Sequence, residues 1–145
     1  MRMSLAMIGL SACALVAGGA AAQRGGGGVV GVPLDSERMV NGVDVGCTGI
    51  GQTREDPRWL AYSVRIEFSN PARELLANEG VTVTTSAGRP VVAVTCEGPW
   101  ILFKLPPGAY RAKAWLPGPP TPPATASFRA PATGQARVEV QFARP

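Results

Sequence analysis

Three cysteines, three tryptophans and one run of alternating cations have the types and spacing to do chemistry in this 145-residue chain. Histidine is absent, which removes the commonest general base and the commonest metal ligand together. With Cys13 inside an N-terminal leader, Cys47 and Cys96 are left as an even pair. In an oxidising compartment such a pair favours a disulfide over two free thiols. The bridge would tie an irregular loop, Gly46–Gly51, to the strand end before a Gly98-Pro99-Trp100 turn. Two thiolates without histidine fall short of the four ligands a structural zinc site uses, so neither metal nor cofactor is expected.

Trp59, Trp100 and Trp115 could line a carbohydrate-binding face, but Trp100 opens an apolar run to Leu105 and is expected in the core. Trp115 shares a strand register with Arg111 and Lys113, opposite Ala112 and Ala114. An aromatic on a basic strand face makes Arg111, Lys113 and Trp115 the candidate partner surface. The plain alternative is a cationic stem stacked on an exposed ring. Lys104 and Lys113 invite comparison with Lys–Asn isopeptide bonds, yet the last strand, Ala136–Phe142, carries no Asn to receive one. Asp44, Glu55, Asp56, Glu67 and Glu97 are scattered over separate segments and show no paired-carboxylate spacing. No Gly-x-Ser-x-Gly elbow is present. No catalytic residue is therefore assigned. The net charge of +4 comes mostly from dispersed arginines without interleaved aromatics, which speaks against nucleic-acid binding.

The elements that must position these residues follow from the order of the chain. Residues 1–22 have the form of a secretory signal peptide: Arg2, an apolar stretch from Leu5 to Ala17, and small residues before Gln23. The stretch is short for a permanent membrane span, and the mature chain is expected to be periplasmic. A competing reading takes Leu10-Ser11-Ala12-Cys13 as a lipobox, with lipidation at Cys13. Residues 23–48 are expected to be a flexible or edge segment, with Gly25–Gly28 as a tether rather than a phosphate loop, since no Gly-Lys-Ser/Thr follows.

From Tyr62 the pattern sharpens. Tyr62, Val64, Ile66 and Phe68 alternate with polar residues, as do Val81 and Val83, and later Val138, Val140 and Phe142. Ala72–Asn78 has room for a brief helical turn. Gly98-Pro99 and Pro106-Pro107-Gly108 bracket a strand from Trp100 to Leu105, and a second strand opens at Ala109. Pro117–Pro123 is a stiff loop that offers no donors from its prolines. About seven short strands with turn chemistry between them predict an all-β, antiparallel seven-stranded β-sandwich.

Gly80-Val81-Thr82-Val83, Ala87-Gly88-Arg89, Gly98-Pro99-Trp100 and Leu105-Pro106-Pro107-Gly108-Ala109-Tyr110 together resemble the carboxypeptidase regulatory-like domains, which are prealbumin-like (transthyretin-like) sandwiches. The likeness covers roughly residues 49–142 and is most specific at the Gly-Pro-Trp and Leu-Pro-Pro-Gly-x-Tyr pair. It implies a carboxypeptidase regulatory-like sandwich over 49–145; the physics of the Pro-Gly turn agrees, with Tyr110 expected to pack inward and its hydroxyl to reach an edge partner. It also implies a folding or interaction module rather than a catalyst, since hydrolases and dioxygenases on related sandwiches depend on histidine. The expected function is a non-enzymatic periplasmic interaction module whose partner is an envelope protein. The alternative is a carbohydrate- or cell-wall-binding domain that meets a glycan.

Overall fold

A computed structural model describes residues 28–143, so the expected signal peptide and Cys13 lie outside the described residues. The chain is all-β: ten strands form two five-stranded sheets, with no α-helix among the described residues. Sheet I runs in the order β1 (Val30–Val32), β6 (Pro90–Cys96), β5 (Gly80–Thr85), β8 (Gly108–Trp115), β9 (Ala124–Ala130). Sheet II runs β10 (Ala136–Gln141), β4 (Val64–Ser69), β7 (Trp100–Phe103), β3 (Val43–Thr48), β2 (Ser36–Val40). Contacts of β9 with β10 and of β1 with β2 bring the edges of the two sheets together at both sides.

Strand alternation decides what goes inside. Val64, Ile66 and Phe68 of β4, Val81 and Val83 of β5, and Val138 and Val140 of β10 all enter one shared core. Ile101 and Phe103 of β7 meet them from the middle of sheet II, and Phe68 stacks on Phe142 with ring centroids 6.4 Å apart. Removing one such side chain, for example Ile66→Ala, costs about 2–5 kcal/mol because the void is only partly refilled.

Several expectations need correction. Ten strands are present among the described residues rather than seven, and the sheets are not purely antiparallel: β1 pairs with β6, and β10 with β4, in parallel. Of the 23–48 segment, residues 28–48 are described, and β1 and β2 are edge strands as the edge reading has it, whereas β3 is not. The segment supplies β1, β2 and β3, and β3 lies inside sheet II between β7 and β2 with Val45 and Cys47 fully buried. The expected boundary at residue 49 thus falls at the end of an interior strand. Gly46-Cys47-Thr48 is strand, not loop, and Ala72–Asn78 forms no helix, since Arg73 and Asn78 adopt positive φ. Two short 3-10 turns, Gln52–Glu55 and Pro57–Ala61, cross the outside of sheet II, the second capped by the Asp56 side chain accepting from the Arg58 N–H.

Candidate functional site

Cys47 and Cys96 are joined by a disulfide with Cα atoms 5.6 Å apart. Cys47 belongs to β3 and Cys96 to β6, so the bond pins sheet II to sheet I through the core instead of fastening a loop. The Gly98 N–H points at both sulfurs, 3.4 Å from Cys47 Sγ and 3.3 Å from Cys96 Sγ. A side chain at Gly98 has no space: its Cβ would lie 2.3 Å from the Thr48 carbonyl oxygen. The bond closes off thiol chemistry at both positions.

The two outer faces differ in charge. On sheet II, Glu67 accepts from Arg65 at 2.8 Å and from Arg137 at 2.9 Å, and Lys104 pairs with Asp44 at 3.4 Å. Arg58 reaches Glu37 at 3.8 Å and Asp56 at 3.7 Å. Every ion pair among the described residues lies on this side. Trp59, Tyr62 and Leu102 form a second, smaller apolar cluster there, beneath the 3-10 turns. The Trp59 Nε1–H donates to the Thr53 carbonyl at 2.7 Å, and the Tyr62 hydroxyl donates to Glu37 at 2.6 Å. Burial, reinforced by Glu37, pushes the Tyr62 phenol well above its usual range.

Two tryptophan expectations change as a result. Trp59 is buried and offers no stacking face. Trp100 is not a residue of the main core: Ile101 and Phe103 take the inward positions of β7, and Trp100 points outward beneath the Arg65 guanidinium, 4.1 Å from its ring centroid. Tyr62, in phase with Val64 by sequence, likewise packs outside sheet II because β4 begins only at Val64.

Sheet I presents the opposite picture. Arg111, Lys113 and Trp115 alternate with buried Tyr110, Ala112 and Ala114, so all three point outward from β8 as their spacing predicted. Pairing extends the face beyond them. Lys113 lies between Thr82 and Thr125, and Arg111 between Thr84 and Ser127. Arg129, exposed on β9, sits opposite Ala109 on the same face. Trp115 is half-buried, its ring laid over Gly80, where an added Cβ would fall 2.0 Å from the indole. The outward positions of β5, β8 and β9 carry no carboxylate, and none of Arg111, Lys113 and Arg129 enters an ion pair among the described residues.

Sequence reasoning singled out Arg111, Lys113 and Trp115 but missed Arg129, Thr82 and Ser127. The polar positions of Thr125-Ala126-Ser127-Phe128-Arg129 alternate, which is the signal that places them outward; only the β8–β9 pairing shows that they flank the β8 cations. Beneath this end of the face Tyr110 stacks on Phe128, centroids 5.7 Å apart, and its hydroxyl donates to the Pro106 carbonyl at 2.7 Å. Tyr110 packs inward as expected, but its hydroxyl meets the connection between β7 and β8 rather than an edge partner. Glu79, just before Gly80, is the fully buried acid among the described residues; neither carboxylate oxygen has a hydrogen-bond partner, and burial lifts its pKa from 4.5 to about 8. No group of three or more potential metal ligands occurs among the described residues.

No protein-family model matches the chain, and a search of curated proteins finds no match.

Proposed function

We propose that the chain is a non-enzymatic exported interaction module that offers the outer face of sheet I to an envelope partner. The observation that carries this reading is the contrast between the faces: on the sheet II side Arg58, Arg65, Lys104 and Arg137 are each held in an ion pair, whereas Arg111, Lys113 and Arg129 share an acid-free, hydroxyl-bearing surface. Unpaired like charges on neighbouring strands disfavour the isolated fold, and a complementary partner offsets that cost while steering encounter. The inter-sheet disulfide supports an oxidising, periplasmic setting. Short strands, the Gly-Pro-Trp and Pro-Pro-Gly turns and the inward Tyr110 support the carboxypeptidase regulatory-like, prealbumin-like assignment, with two parallel strand pairs added to that plan. In vivo crosslinking of the tagged protein should capture one dominant envelope protein. Arg111→Ala, Lys113→Ala and Trp115→Ala combined should abolish that capture, and undiminished capture by the triple variant would remove the face from the account.

A glycan-binding reading stands second, favoured by Trp115 lying across Gly80 beside Lys113 and Thr82, an aromatic platform rimmed by donors. Saturable quenching of the Trp115 contribution by cell-wall oligosaccharides would support it; fluorescence unchanged across such a panel would count against it.

A further inference from the structure

The basic face ends in a cleft of about 260 Å³ lined by Ser86, Ala109, Arg111, Ser127 and Arg129, with Tyr110 and Phe128 at its base. We infer that this cleft is a subsite for a single oxyanion group, a carboxylate or a phosphate, carried by whatever docks on the face; the inference rests on the partner-face reading above.

Register sets the arrangement. Arg111 stands opposite Ser127, and Arg129 stands opposite Ala109, so the two arginines are diagonal neighbours with a serine beside them. Diagonal partners across a strand pair are within reach of side chains as long as arginine. Neither arginine has an ion-pair partner among the described residues. Two guanidinium groups that converge on one point repel each other unless a counter-charge lies between them, and an oxyanion supplies that charge. Each guanidinium presents a planar fork of donors that matches two oxygens of a carboxylate or phosphate. Ser86 and Ser127 add neutral hydroxyl donors to the lining.

Size narrows the ligand. Pockets that enclose drug-sized molecules run from about 300 to 1,000 Å³, and this cleft falls below that range. It suits one acidic end-group and leaves the rest of the ligand on the open face. The base is stiff, because the Tyr110–Phe128 stack and the Tyr110 hydroxyl bond to Pro106 fix the strand ends that carry both arginines. A pre-set site loses less order on binding.

The test is a 1H–15N titration of the full chain with sodium phosphate and with sodium glucuronate, against sodium chloride at matched ionic strength. Saturable shifts should centre on the amides of Ser86, Arg111, Ser127 and Arg129. Arg129→Ala should weaken them about tenfold, the loss expected for one charge-assisted contact, and Arg129→Lys should restore part of the affinity. Phosphate alone, glucuronate alone, or both producing these shifts identifies the group while supporting the site. Shifts equal to those in chloride, shifts spread evenly over Arg38, Arg54 and Arg73, or shifts unaffected by Arg129→Ala would overturn it. A Lys113→Ala, Trp115→Ala double variant separates the two readings, since both residues lie off the cleft. It should lose partner capture yet keep oxyanion binding, so failure of the face and failure of the cleft are read independently.

Discussion

Glu79 carries an unusual load for one residue. Its carboxyl is enclosed beside the first residue of β5, without a hydrogen-bond partner, while its backbone carbonyl accepts the Cys96 N–H at 3.1 Å. Desolvation of a carboxylate there outweighs the offset from its own backbone amide, so the neutral acid is the form the fold holds, with a pKa of about 8. The sign of the consequence follows. Below the ordinary pKa of 4.5 both folded and unfolded chains are protonated; between 4.5 and about 8 only the unfolded chain releases its proton. Stability contributed by the neutral form is therefore lost as pH rises through that window, by up to about 1.4 kcal/mol per pH unit. Glu79→Gln keeps the shape and removes the titration. Urea midpoints at pH 5 and pH 8 should converge in this variant, with the gain concentrated at pH 8. An unchanged gap between the midpoints would mean that another group sets the slope.

Among the elements, β3 and β6 matter most, because one covalent bond joins them across the core. Closing 49 residues of chain removes about 4 kcal/mol of unfolded-state freedom by the chain-entropy argument. Cys47→Ala with Cys96→Ala should lower stability by about that amount, read as a reduced denaturation midpoint with an altered m-value, and a change under 1 kcal/mol would deny the bridge its role. These strands also show what the sequence could and could not reveal. Val64-Ile66-Phe68 and Val138-Val140-Phe142 alternate against water, so their inward faces are legible from period two. β3 alternates Val43, Val45 and Cys47 with Asp44, Gly46 and Thr48, but Gly46 and Gly49 close to the cysteine read as loop, and the Trp59–Tyr62 cluster that buries its outside comes from residues distant in the sequence. Trp100 was misplaced for the same reason: outward Leu102 is buried as deeply as inward Ile101, and the phase of β7 disappears. The parallel pairings of β1 and β10 are long-range choices that leave no local mark at all.

For the whole molecule, the sandwich is a two-sided object whose sides do different work. Sheet II is closed by the 3-10 turns, two aromatic rings and the ion pairs that hold Arg58, Arg65, Lys104 and Arg137. Sheet I keeps an uncovered face on which Arg111, Lys113, Arg129 and Trp115 stand among hydroxyls. Half of that face was legible from the alternation Arg111-Lys113-Trp115 within one strand; the other half exists only because β9 folds back against β8. Binding through it should weaken with added salt more than binding through a face of paired cations, since its cations are exposed and screened.

The most direct measurement is site-specific photocrosslinking in the living cell, with the photoreactive residue placed at Thr82 on sheet I or at Gln141 on sheet II. The account predicts one strong adduct to an envelope partner from Thr82 and none from Gln141. An adduct from Gln141 with none from Thr82 would contradict it, and would assign recognition to the face that pairs its own charges.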